Sequence, residues 1–158
     1  MSAAVTLAEG GLADLDAVMT VMDDSFDPRF GEAWTAVQCA GLLPMPGVWL
    51  TLASQSGEAI GFALSRAVAG EAELLLLAVR ESVQGRGTGR LLLSAFEADA
   101  AGRGATRLHL EVREGNHALR LYERAGFTLV GRRRNYYSGH GDTTFDALTL
   151  AKSAKGSR

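Results

Sequence analysis

The chain has a single cysteine, Cys39, among its 158 residues. An internal disulfide is therefore excluded, and a cysteine-rich zinc site lacks its thiols. Cys39 falls in an apolar, helix-like segment, where a lone cysteine reads as a small core residue. Neither sign of charge is in excess: 16 Lys and Arg stand against 18 Asp and Glu, a net charge of −2. That balance gives no reason to propose a nucleic-acid binder, which normally shows a basic face and a high pI. The opening MSAAVTLAEGG lacks a basic start and a long apolar region, so no secretory signal is expected. No apolar run approaches membrane-spanning length. His109, His117 and His140 fall on different predicted elements without ligand spacing, and none has a serine, cysteine or acid arranged for nucleophilic catalysis. No metal and no membrane partner is expected, and the sequence reads as that of a soluble cytoplasmic protein.

What is there is an ordinary globular composition, 47% apolar and 22% charged, with enough chain for one domain and a real core. Repeats and long linkers are missing, so residues 1–151 read as a single domain and 152–158 as a short basic, frayed tail. Residues 3–8 look like a first strand. Leu12, Leu15, Val18, Met19, Met22 and Phe26 recur at helical steps up to Asp27-Pro28, which ends the helix. Residues 32–43 read as a second, shorter helix, and the two make a wall or lid on either side of DPRFG. Asp23, Asp24, Asp27 and Glu32 near that join read mainly as a solvated acidic face, with attraction of a cationic substrate as the alternative. Residues 48–53 and 60–68 are strand-like and joined by Gln55-Ser56-Gly57-Glu58, a hairpin signal. A further turn at 69–72 leads into the leucine-rich strand that ends at Ala78-Val79.

Beyond that strand lie a short polar loop and Gln84-Gly85-Arg86-Gly87-Thr88-Gly89-Arg90, then an apolar helix from near Leu91. Glycines at alternate positions bare the amides where a helix begins, which is a ready anion site, and Arg86 and Arg90 add positive charge. A dinucleotide fingerprint needs a different glycine spacing directly after the strand, and a P-loop needs a Lys before Ser or Thr. Thr106 to Val112 then alternates apolar and polar, so the leucine strand and this one form a βαβ unit of parallel neighbours. Asn116-His117 opens another helix that closes at Gly126. Strands follow at 127–130 and 146–150, with Arg132 to Tyr137 and a turn at 138–142 between them.

The segment from Gln84 to Gly89, after a strand ending in Ala78-Val79, resembles the acetyl-CoA loop of the Gcn5-related N-acetyltransferase (GNAT) family. The likeness extends over residues 48–150. It implies an α/β (α+β) fold with a mixed sheet of about seven strands and about four helices: an antiparallel meander first, then parallel central strands that splay apart. It implies acetyl-CoA as co-substrate, with no metal. Its pyrophosphate would meet Gln84, Gly85, Arg86, Gly87, Thr88, Gly89 and Arg90, and its pantetheine arm the backbone of Leu77, Ala78 and Val79.

A second constellation is Leu110-Glu111-Val112-Arg113, Asn116, and Leu121-Tyr122-Glu123 before Gly126-Phe127. On the plainest reading Glu111 is a surface acid and Tyr122 a core aromatic. Acetyl transfer to an amine, however, needs an unprotonated amine and a protonated leaving sulfur. An α-amine near pKa 8 yields to a carboxylate working through water, whereas a lysine amine near 10.4 asks for more perturbation. A tyrosine hydroxyl suits the general acid. These segments, together with Arg133-Arg134-Asn135-Tyr136-Tyr137, are similar to the ribosomal protein alanine N-acetyltransferase (RimI) family. That resemblance implies Glu111 as proton acceptor, Tyr122 as proton donor and Asn116 as a cofactor contact. It implies as acceptor the N-terminal alanine of ribosomal protein eighteen of the small subunit. The segment from Asn116 to Tyr122 is one residue shorter than in that family.

Tyr136 and Tyr137 are expected to wall the channel that admits the peptide terminus, and Trp34 is a candidate substrate contact from the acidic join. Asp146 is expected to pair with Arg133 or Arg134. An exposed ribbon or a weak RNA patch is the competing account of the basic-aromatic run. Other functional readings are an acetyltransferase for other protein N-termini or for a small amine, and a non-catalytic acyl-CoA-binding module.

Overall fold

The structure is a computed structural model and describes residues 3–154. Seven strands share one sheet: β1 (Thr6–Gly10), β2 (Val48–Gln55), β3 (Glu58–Val68), β4 (Glu71–Val79), β5 (Arg107–Arg113), β6 (Thr128–Ser138) and β7 (Thr144–Ser153). Their order is β1-β2-β3-β4-β5-β7-β6, and only β4 and β5 pair in parallel. The helices are α1 (Leu15–Ser25), α2 (Ala36–Leu42), α3 (Thr88–Gly102) and α4 (Ala118–Arg124). This is the mixed architecture expected from the sequence. None of the described helices is long and apolar enough to cross a membrane.

Two tight turns build the antiparallel half. Ser56 and Gly57 have φ of 54° and 79°, and Ala69 and Gly70 have 51° and 83°. Positive φ at both central residues matches the twist of the flanking strands, which is what two-residue hairpins require. The leucine strand β4 lies between β3 and β5 at the middle of the sheet.

A register shift in β4 shapes the site. Leu64 pairs with Leu76 while Ser65 pairs with Leu74, so Leu75 is the extra residue of a bulge. Ala72 and Leu74 therefore enter one apolar cluster, with Leu92, Phe96, Leu108 and Leu110, while Leu76 and Ala78 enter the other, with Val18, Met22 and Phe62. The parallel ladder to β5 stops at the same place, its last pair being Leu74 with Leu110. From Leu75 to Val79 the edge of β4 facing β5 has no strand bonded to it.

Several boundaries differ from expectation for local reasons. The first strand runs Thr6–Gly10 rather than 3–8. A 3-10 turn at Leu12–Asp14 precedes α1. Thr35 caps α2, accepting from the Gln38 amide while the Gln38 side chain accepts from the Thr35 amide, so residues 32–34 stay outside the helix. The helix after the glycine loop starts at Thr88, three residues earlier than the apolar pattern suggests. Arg132 to Tyr137 belongs to β6, where a bulge with Asn135 at φ 52° hides the alternation. Residues 152–154 are no frayed tail. Lys152 Nζ lies 2.6 Å from Glu97 Oε1, the Ala154 amide donates to Thr106, and Ala154 is buried. The remainder of the expected tail lies outside the described residues.

Candidate active site

On one side of the sheet gap lies the glycine loop. Gly85 and Gly87 hold φ of 78° and 90°, where a side chain is strained. A Cβ at either would meet no protein atom within 4 Å, so the space over them is open. Gly87 caps α3, accepting from the Leu91 amide at 3.0 Å. Among the described residues, the amides from Gly85 to Arg90 have no protein acceptor, the ordinary condition of a helix start. Gly89 serves packing: a Cβ there would lie 3.3 Å from Leu121 of α4 and 3.9 Å from Val79. Arg86 and Arg90 are exposed. Thr88 is buried. The Gln84 side chain donates to the Val79 carbonyl at 2.9 Å; it braces the loop against the strand end. The chemistry of this donor set fits a pyrophosphate, and the edge at Leu77, Ala78 and Val79, to which β5 does not bond, fits an extended amide-bearing arm.

The gap opens between β4 and the end of β5, where Glu111 sits. Glu111 shares a sheet face with Arg133, since both strands pair with β7 in register, Glu111 with Thr149 and Arg133 with Ala147. Arg133 Nε lies 2.7 Å from Glu111 Oε1. The expected pairing of Asp146 with Arg133 or Arg134 is thus replaced. Asp146 Oδ2 takes Arg132 Nη1 at 2.8 Å, and its Oδ1 accepts the Asn135 amide at 2.9 Å. Those contacts, the backbone bond first, hold the Asp146 carboxyl below its ordinary range. Arg132 also meets Glu114 Oε2 at 2.6 Å. The bulge is fastened by these bonds, and it aims the two following tyrosines.

Tyr136 and Tyr137 meet edge to face with centroids 5.0 Å apart; Tyr136 is half exposed. Tyr122 projects from α4, buried, and meets Phe127 edge to face. Burial, then the neighbouring Tyr137 and Glu32, push the Tyr122 hydroxyl well above the ordinary phenol value. Burial, Glu32 and Glu111 do the same to Tyr137. Tyr137 thus has Tyr136, Tyr122, Glu32 and Glu111 as neighbours, which links the three tyrosines of the chain. Both inner phenols are held in the protonated, proton-donating state.

Glu32 is the residue that sequence reasoning misplaced. It is no solvated acid: its Oε1 receives Arg113 Nε at 3.1 Å and its Oε2 receives Asn116 Nδ2 at 2.6 Å, with Glu32 and Arg113 side chains only 9% exposed. Asn116 Oδ1 accepts the Ala118 amide at 2.8 Å, so both ends of the Asn116 amide are engaged within the protein. Arg113 also lies over the Phe30 ring, 3.8 Å from its centroid. Trp34 packs into the apolar cluster beneath α1; the residue of this segment that reaches the site is Glu32. The backbone of the same segment presses on the β6–β7 turn. A Cβ at Gly31 would lie 1.9 Å from the Ser138 carbonyl oxygen, and one at Gly139 would lie 1.8 Å from that of Arg29. No cluster of His, Cys, Asp and Glu suited to a metal occurs among the described residues.

The acetyltransferase (GNAT) family model matches residues 15–127. The [ribosomal protein bS18]-alanine N-acetyltransferase of Haemophilus influenzae is 42% identical over 97 residues, covering 61% of this chain and 66% of that protein. The protein of that name in Escherichia coli K12 is 38% identical over 102 residues, 62% of this chain and 69% of its own length. The match thus spans just under two thirds of the Haemophilus relative. Among solved structures, the ribosomal-protein-S18-alanine N-acetyltransferase from Escherichia coli superimposes with a TM-score of 0.86 at 29% identity, covering 98% of this chain and 97% of the other. Ard1 from Thermoplasma volcanium gives 0.82 at 26% identity, covering 96% and 98%.

Proposed function

The chain belongs to the acetyltransferase (GNAT) family, and we propose that it moves the acetyl group of acetyl-CoA to the N-terminal α-amine of a protein. The acceptor we assign is the alanine terminus of the small-subunit ribosomal protein named for its relatives in Haemophilus and Escherichia. The observation that carries this is the juxtaposition at the sheet gap. Unpaired β4 backbone and free loop amides lie on the donor side; Glu111 and the buried Tyr122 stand at the end of β5 and on α4.

Acetyl-CoA supplies an activated thioester. Free amides of Gly85 to Arg90, the positive end of α3 and two arginines would hold its pyrophosphate. The exposed edge at Leu77, Ala78 and Val79 would align its arm as an added strand does. Glu111 takes the proton of the acceptor ammonium through water, a task within reach of a carboxylate because an α-amine titrates near 8. Backbone amides at the gap polarise the thioester carbonyl. Tyr122, kept protonated by burial, gives its proton to the departing sulfur. Tyr136 and Tyr137 form the acceptor wall, and Asn116 holds the Glu32 carboxylate in place. We place the reaction in the cytoplasm, in a protein that uses no metal.

The test is to incubate the purified protein with acetyl-CoA and a panel of N-terminal peptides, polyamines and aminoglycosides, following CoA release and product mass. The expected outcome is acetylation of the alanine-initiated ribosomal peptide at its α-amine. Turnover confined to polyamines or aminoglycosides would overturn the acceptor assignment, and CoA binding without release on any acceptor would overturn catalysis.

A further inference from the structure

We infer that Arg133 is a stand-in for the acceptor's ammonium: it occupies Glu111 in the free protein and yields that carboxylate when the acceptor enters. The inference rests on the assignment of Glu111 to the acceptor amine made above.

The three consecutive arginines of β6 are used unequally. Arg132 is fixed by two carboxylates, Asp146 at 2.8 Å and Glu114 at 2.6 Å. Arg133 has a single acidic partner, Glu111 at 2.7 Å, and its side chain is 61% exposed while that of Glu111 is 16% exposed. The carboxylate is the inner member of the pair and the guanidinium the outer one. An ion pair with so exposed a member contributes little to stability, so its exchange costs little. The Tyr136 ring lies 5.4 Å from the Arg133 guanidinium carbon, within cation–π range. The ring gives the displaced guanidinium a place to rest without leaving the strand.

Charge explains why a stand-in is needed. Glu111 shares its sheet face with Glu73 of β4, whose own carboxyl is pushed up by burial and by the nearby Glu111. His109 of β5, Arg66 of β3 and Arg133 neighbour Glu73, and Tyr137 stands near Glu111 as a neutral phenol. Among these neighbours, Arg133 is the one in ion-pair contact with Glu111. Exchanging it for an incoming ammonium keeps the carboxylate compensated throughout. A blocked N-terminus brings no positive charge, so it has nothing with which to replace the guanidinium. The acetylated product is in the same position, and the return of Arg133 favours its departure.

A double-mutant cycle on the CoA-loaded protein tests this, with the Kd of an alanine-initiated peptide read by calorimetry. Arg133→Met should tighten binding about two- to fivefold, the range of an exposed pair, and lower KM by the same factor with kcat held. Arg134→Met removes the same charge from the same strand and should leave Kd where it is. In a Glu111→Gln background the effect of Arg133→Met should vanish. Unchanged or weaker peptide binding in Arg133→Met overturns the inference, as does equal tightening in Arg134→Met or tightening that persists in Glu111→Gln. The base assignment is read separately: it fails if Glu111→Gln retains kcat, whatever the binding cycle gives.

Discussion

Glu32 and Arg113 are 81 residues apart in sequence and 3.1 Å apart in space, each with 9% of its side chain exposed. The pair ties the segment between α1 and α2 to the end of β5, beside Tyr122 and Tyr137. Breaking one side of a buried pair strands the other charge, which costs about 3–5 kcal/mol. Glu32→Ala should therefore lower the unfolding free energy by that amount in urea titration. Combining it with Arg113→Met should recover part of the loss, because the stranded cation is then gone.

Tyr122→Phe removes the proposed proton donor and little else, since the ring remains against Phe127. Turnover should fall about a hundredfold, a typical general-acid contribution, with CoA affinity unchanged. Stopped-flow turnover and CoA calorimetry measure the two. The hydroxyl is held above its ordinary value by burial, Tyr137 and Glu32. Its contribution to stability is thus complete below about pH 10, the free-phenol value, and is lost only as pH rises through the higher folded value.

Glu111→Gln should lower kcat/KM and remove the acidic limb of its pH profile. If that limb persists unchanged in the variant, the proton acceptor lies elsewhere.

Gly87→Ala places a side chain at φ 90°, a strain of about 1–3 kcal/mol. Its methyl group points into the open space over the loop. CoA affinity should fall about tenfold, equivalent to ~1.4 kcal/mol, with a lower Tm; equilibrium binding and thermal denaturation check both.

Asp146 is held below its ordinary value by the Asn135 amide and Arg132, and Glu114 by Arg132. A carboxylate with a depressed folded pKa contributes stability above its unfolded value, about 3.9 for Asp and 4.3 for Glu. That contribution is lost as pH falls through the folded value. Tm should thus drop below about pH 4. Asp146→Asn should flatten that drop and lower turnover by releasing the bulge that aims Tyr136 and Tyr137.

The donor side was legible in the sequence because its signals are local. Alternate glycines, a leucine run and an apolar helix sit in one stretch, and the parallel pairing of β4 with β5 follows from it. The acceptor side resisted for the opposite reason. Glu32 looks like one more acid beside Asp23, Asp24 and Asp27, and only the fold brings it to Arg113 and Asn116. The partner of Asp146 was misjudged by one or two positions because the bulge at Asn135 resets which face each arginine takes. Thr35 overrode an apolar pattern that otherwise extends the second helix toward Glu32. Long-range ion pairs and bulges leave little periodic trace, and this site depends on both.

The backbone contact of Gly31 with Ser138, and of Gly139 with Arg29, has a consequence for redesign. Two segments that far apart in sequence behave as one mechanical part, so neither can change length or gain a side chain at the seam alone. Grafting a foreign acceptor preference onto this scaffold therefore requires moving both segments as a matched set, with Arg113 kept as the pin between them.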